Sequence, residues 1–235
     1  MVLRKGSMTI DQIDFDKITA LFKSDEPKNR LVALHLLDAM EAHQIYAKHL
    51  MAQESLNIEG KVFFVYQGSK DSDHLDEFYS YWDNLLIGDG IFHVQHRVRN
   101  KTNKRIRVKT FCCLSELIEL QSYYEPVCFS ETITLLIHIT ENTYEVWLKE
   151  KWDTSHLDTL LKQIDCINQE SEDELKNRYI HQFGAKDVGV PKTPRDQLLE
   201  IANIVSRSKS PIKYHLLTPD MHQPDNLILN ISISK

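Results

Sequence analysis

The densest run of a single chemistry lies between residues 97 and 109, where Arg97, Arg99, Lys101, Lys104, Arg105, Arg107 and Lys109 follow one another with no acid among them. Guanidinium and ammonium groups at this density bind carboxylates or phosphates. The whole chain carries −6, so the run is a local reversal of sign within an acidic background. Its neighbours alternate: Phe92, Val94 and Val98 come before Asn100–Asn103, and Ile106 and Val108 after. Alternation sends successive side chains to opposite faces of a strand. The segment therefore predicts an antiparallel hairpin pairing 91–99 with 104–110, with Val94, Val98, Ile106 and Val108 toward the core. His93, Gln95, Arg97, Arg99, Arg105, Arg107 and Lys109 would face outward, with Lys101 and Lys104 at the tip. Such a ribbon fits an acidic protein partner or a nucleic-acid groove, and the same charges also guard an exposed strand against aggregation. Few aromatics interleave the cations, which argues against a base-stacking platform.

Other groupings carry less. Gly68-Ser69-Lys70 reads as a turn between a strand and a helix, where backbone N–H groups cradle phosphates. It lacks the Walker spacing, and Asp71, Asp73, Asp76 and Glu77 would repel an anion. Glu59-Gly60-Lys61 has the E-x-K form of a class of metal-dependent nucleases, but it enters a strand and follows no identifiable acidic residue on a preceding one. His93 and His96 fall on opposite faces of the expected strand. His35, His43 and His49 lack the i, i+4 spacing of a helical zinc pair. His215, Asp220 and His222 are close in sequence but want further ligands. No metal or cofactor is expected. There is no G-x-S-x-G, and no cysteine with a local histidine partner, so no catalytic residue is identified. Cys112, Cys113, Cys128 and Cys166 form no C-x-x-C pair and read as buried free thiols of a reducing compartment.

The elements that must hold these residues follow from periodicity. Residues 15–22 predict a short helix. Ser24-Asp25-Glu26-Pro27 breaks it and opens another, with Pro27 in a first turn. Residues 28–54 are helical, as one rod or as two joined at Glu41-Ala42-His43-Gln44. Lys61–Tyr66 is β-branched and aromatic, hence a strand. Leu75, Phe78, Tyr79, Trp82 and Leu86 make a helical stripe. A short helix is expected at 114–121, then a hairpin of 132–139 with 143–148 turning at Thr140-Glu141-Asn142. Helices at 154–169 and 171–183 precede Thr193-Pro194-Arg195-Asp196, a strong helix start with Thr193 as cap. Strands are expected at 212–217 and 227–233.

The segment LFKSDEPKNRLVALHLL resembles one unit of the leucine-rich helical repeats of the HEAT-like kind, over residues 18–51. The resemblance implies a helix pair packed by its aliphatic faces and a protein-binding role. No second copy is present, and a solenoid needs about three, so the unit is expected to pack on the rest of the chain.

The 235 residues, 42% hydrophobic and 26% charged, suffice for a sizeable core without disulfide or metal staples. The longest apolar run, Ile133 to Ile139, falls well short of the roughly 20 residues of a membrane span, and Arg4 and Lys5 lead into no signal-like apolar region. Together these predict an α+β protein of the cytoplasm. Residues 1–7 read as a vector remnant, 8–57 as the helical HEAT-like portion, and 58–235 as antiparallel β-hairpins with amphipathic helices. The function expected is non-catalytic binding or regulation, with an acidic partner or sister subunit recognised through the basic hairpin or the helical surface. The alternative is a nucleic-acid-binding or metal-dependent nuclease protein using residues 97–109.

Overall fold

A computed structural model describes residues 13–24, 26–69, 100–120, 132–152, 154–183, 194–217 and 225–234. The N-terminal helices are α1 (Phe15–Phe22), α2 (Pro27–Ala39) and α3 (His43–Met51). Asp14 caps α1 by accepting the Lys17 N–H at 3.1 Å, and Pro27 opens α2 where its missing N–H costs nothing. The chain breaks between α2 and α3 because Glu41 turns left-handed, with φ 51°. The Ala42 N–H then closes back on the Leu37 carbonyl. Of the two forms left open by periodicity, two helices is the one adopted.

Five strands follow among the described residues: β1 (Lys61–Ser69), β2 (Thr132–Ile139), β3 (Thr143–Trp152), β4 (Lys213–Leu217) and β5 (Asp225–Ser234). They form one sheet in the order β1-β2-β3-β5-β4, with every neighbouring pair antiparallel. Gly60, at φ 98°, leads into β1. A side chain there would place Cβ 2.7 Å from the Ile139 carbonyl oxygen, so glycine allows the close approach to β2. The β2–β3 turn is held by Thr140, whose N–H donates to the Thr143 carbonyl while its Oγ1 accepts the Thr143 N–H, each at 3.0 Å.

Four further described helices pack on one face: α4 (Asn100–Glu119), α5 (Thr154–Asn168), α6 (Glu172–Phe183) and α7 (Pro194–Ser208). α7 touches α4, α5, α6 and β5; Thr193, its expected cap, lies outside the described residues. The sheet meets these helices with an almost wholly aliphatic surface, including Ile133, Leu135, Ile137, Val146, Leu148, Leu229, Ile231 and Ile233. Asn168 pins the end of α5 to the entrance of β4, accepting from the Ile212 N–H at 2.9 Å and donating to its carbonyl at 2.8 Å. The opposite face carries Val62, Val65, Leu136, Trp147 and Ile228, which pack with Ile18, Phe22, Leu37, Tyr46, Leu50 and Met51 of α1–α3. β2 is buried on both faces, which accounts for its near-continuous apolar sequence. The fold is α+β, with helices first and antiparallel strands after, as its residues predict.

The expected hairpin of 91–99 with 104–110 is not formed. Residues 104–110 lie inside α4, and 91–99 lie outside the described residues. Alternation of Ile106 and Val108 competes with a longer pattern: Ile106, Thr110, Cys113, Leu114, Leu117 and Ile118 recur at helical spacing, and all are buried. Burying that stripe outweighs burying two strand residues, so Val108 is left 52% exposed. The short helix expected at 114–121 is the C-terminal part of the same element. Gly68 and Ser69 likewise continue β1, pairing with Ile133 and Thr132, so they make no turn. The helix expected after Asp71 lies outside the described residues.

Candidate interaction surfaces

α4 is anchored by its buried stripe. Cys113 sits against the Ile204 carbonyl of α7, with Sγ 3.9 Å away, and Glu116 is 3.4 Å from Arg207 of the same helix. Thr110 turns its hydroxyl back onto the Ile106 carbonyl at 2.9 Å. The helical repeat puts positions 101, 104, 105 and 108 on one side, opposite the buried stripe. Positions 101, 104 and 105 fall at the helical repeat of exposed Val108, and Lys109 is half-buried at the flank. Arg107 is offset from them, because positions 105 and 107 are about 200° apart on a helix. Arg97 and Arg99 lie outside the described residues. Five of the seven cation positions therefore lie on a helix, α4, and not on a strand ribbon.

Two further surfaces are seen among the described residues, one of them on the helical portion expected to bind. α2 buries Ala33 and Leu37, yet it also presents Val32 (47% exposed) and Leu36 (40%) outward, one turn apart. Aliphatics on both sides of a helix are the only signal of this, and it resembles ordinary core patterning. Between α6 and α7 lies an open cleft of about 320 Å³. It is lined by Glu172, Leu175, Lys176, Ala202, Asn203, Ser206, Arg207 and Lys209. Its charges are largely committed, with Lys209 2.9 Å from Glu172 and Arg207 paired to Glu116.

The titratable groups near the sheet are also held in structural roles. His43 Nδ1 accepts the Val62 N–H at 3.2 Å, so its proton sits on Nε2, which donates to Asp38 Oδ1 at 2.8 Å. Lys61 Nζ reaches the same Asp38 oxygen at 2.7 Å; with Lys61 the larger influence, these contacts hold the Asp38 carboxyl below its usual range. Lys61 of the Glu59-Gly60-Lys61 tripeptide is thus engaged by a helix C-terminus. Among the described residues, no group of three or more histidines, cysteines or acids could hold a metal ion. His138 is fully buried on β2. Its Nδ1–H donates to the Glu59 carbonyl at 2.9 Å, and its Nε2 has no hydrogen-bond partner among the described residues. Burial, together with nearby His43, pushes this imidazole down to about 4 against the pull of the Glu59 carbonyl. Opposite it on β3, burial and the Glu59 carboxylate raise the Glu145 carboxyl, while the Trp147 Nε1–H and Lys213 work the other way. His215 stacks on Trp147 with ring centroids 6.3 Å apart, while Asp220 and His222 lie outside the described residues. Cys113 is buried, Cys112 half-buried and Cys166 exposed, all as free thiols, so burial of every cysteine does not hold. Cys128 lies outside the described residues.

A five-stranded antiparallel sheet with a four-helix layer on one face and a three-helix layer on the other, counted over the described residues, defines the class of architecture. No protein-family profile matches the chain, and no curated protein matches it. Among solved structures, the fold is similar to that of a chain in the crystal structure of the SiaB–SiaC complex from Pseudomonas aeruginosa. The TM-score is 0.52 at 14% identity, over 73% of this chain and 91% of that one. At this identity the likeness is one of fold. No described helix is long and apolar enough to cross a membrane.

Proposed function

We propose that the chain is a non-catalytic regulatory or binding protein that recognises an acidic protein partner. The contact would be made by the basic stripe of α4 and the cations preceding it. The observation that carries this reading is the concentration of seven cations over residues 97–109, five of them at positions within α4 beside exposed Val108. Cations around an exposed aliphatic suit a carboxylate-rich protein surface, where charge steers encounter and the apolar group contributes desolvation. The likeness of fold to a chain taken from a two-protein complex supports a protein partner. The HEAT-like unit at 18–51, with Val32 and Leu36 outward on α2, is a second candidate surface for the same role.

The test is affinity isolation with the full chain, with nuclease and salt as controls, repeated with a Lys101→Glu, Lys104→Glu, Arg105→Glu triple variant. A stoichiometric protein partner lost by the variant, at unchanged thermal stability, is the expected result. Nuclease-sensitive recovery that falls steeply with salt would favour the nucleic-acid alternative, because neutralised phosphates release counterions. A folded variant that keeps its partner would move the interface to α2.

A further inference from the structure

The two faces of the sheet differ in chemistry. Toward α4–α7 the strands present mainly aliphatic side chains, with Tyr144, Trp152 and one buried carboxylate, Glu150, on β3. Toward α1–α3 the same strands alternate Leu136, Trp147 and Ile228 with Thr134, His138, Glu145, Lys149, Asn230 and Ser232. Polar side chains are usual on a sheet face that meets water, yet here His138, Thr134 and Asn230 are buried. The α1–α3 layer satisfies this face incompletely. His138 Nε2 is left without a hydrogen-bond partner among the described residues, and the Lys149 ammonium reaches the Leu50 carbonyl at a long 3.5 Å. A permanently covered face gains nothing from such groups, whose unmade bonds cost free energy when buried.

The layer also has the build of a separate unit. Tyr46 is its centre, with its hydroxyl 2.8 Å from Thr19 Oγ1 and its ring against Phe15 and Phe22. The connection to the sheet runs through residues 52–60, which begin at left-handed Ala52 (φ 53°) and end at Gly60 (φ 98°). Polar ties between the layer and β1 are made by His43 to the Val62 N–H, by Asp38 to Lys61, and by Lys23 to Gln67. Two of these three are exposed side-chain pairs, which water replaces at little cost.

We infer that α1–α3 is a cover that opens as one unit about residues 52–60 and uncovers the mixed face of the sheet around Trp147, while the α4–α7 side stays closed. The inference goes beyond the binding reading and is independent of it, since opening is measured on the chain alone. It assigns the protein a closed state, in which its own helices occupy the face, and an open state that presents Leu136, Trp147 and Ile228 between polar neighbours.

Native-state hydrogen exchange of the full chain at low denaturant tests it. Amides of α1, α3 and Val62 are expected to exchange through one common opening, with an opening constant at least about tenfold larger than that of β2, β3 and β5. Exchange of α1–α3 with the same opening constant and denaturant dependence as β3 and β5 would overturn the inference. So would independent fraying of α1 and α3 with no shared opening. Both outcomes are read on the wild-type chain.

Discussion

His138 gives the clearest residue-scale expectation, because its neighbours fix its tautomer and its burial fixes its charge. The imidazole titrates near 6.5 when unfolded and near 4 when folded, so acid protonates the unfolded chain first. The stability it protects is complete above pH 6.5 and is lost as pH falls toward 4, amounting to about 3 kcal/mol for a shift of this size. Glu145, raised by burial, acts in the opposite sense across its own range. Denaturant titrations over this window should show wild type losing stability faster with falling pH than His138→Gln; parallel curves would remove His138 from the account. The cysteines offer a second check. Burial pushes the Cys113 thiol up to about 12, whereas Cys166 is exposed. Iodoacetamide should label Cys166 and spare Cys113 in the folded protein, as peptide mapping would read directly.

At the scale of elements, α4 is where local and long-range patterns disagree. Ile106 and Val108 read equally well as a strand pair until the stripe continuing to Ile118 is included. The two residues then part, one buried and one exposed. Val108→Asp should change stability by less than about 0.5 kcal/mol, while Ile106→Asp, which buries an unpaired carboxylate, should cost several kcal/mol or abolish folding. Equal effects on thermal melting would return the segment to a strand. α6 begins with a capping box. The Ser171 N–H and hydroxyl donate to Glu174 Oε2 at 2.7 Å, and the Glu174 N–H donates to Ser171 Oγ at 3.3 Å. Ser171→Ala should cost about 1 kcal/mol, and an unchanged melting temperature would show that tertiary packing alone holds the helix start.

For the molecule taken whole, the governing feature is that the last strand is an interior one. β5 lies between β3 and β4 and pairs with β3 along its full length, from Thr143↔Ser234 to Trp152↔Asp225. It pairs segments far apart in the chain, which is costly in loop entropy and cooperative in consequence. Removing residues 225–234 should leave β3 with a bare edge, detach β4 and unfold the chain, as loss of far-ultraviolet dichroism would report. A folded truncated chain would show that β5 is an accessory strand.

Some of this architecture can be read from short windows of residues, where backbone preference and burial period agree. The aliphatic stripe of 154–168, the threonines of the β2–β3 turn, Pro27 and Pro194 at helix starts, and the basic density of 97–109 are of this kind. Other features depend on what packs opposite, and no local pattern holds that information. Residues 100–119 are a helix because α7 and the sheet supply a surface that rewards the longer stripe. Gly68 and Ser69 run on in β1 because β2 lies alongside to accept their ladder bonds. His43, Asp38 and Lys61 form one cluster because α2, α3 and β1 converge there. The strands divide into one mainly aliphatic face and one mixed face because different helices cover each, and alternation marks two faces without saying which neighbours will meet them.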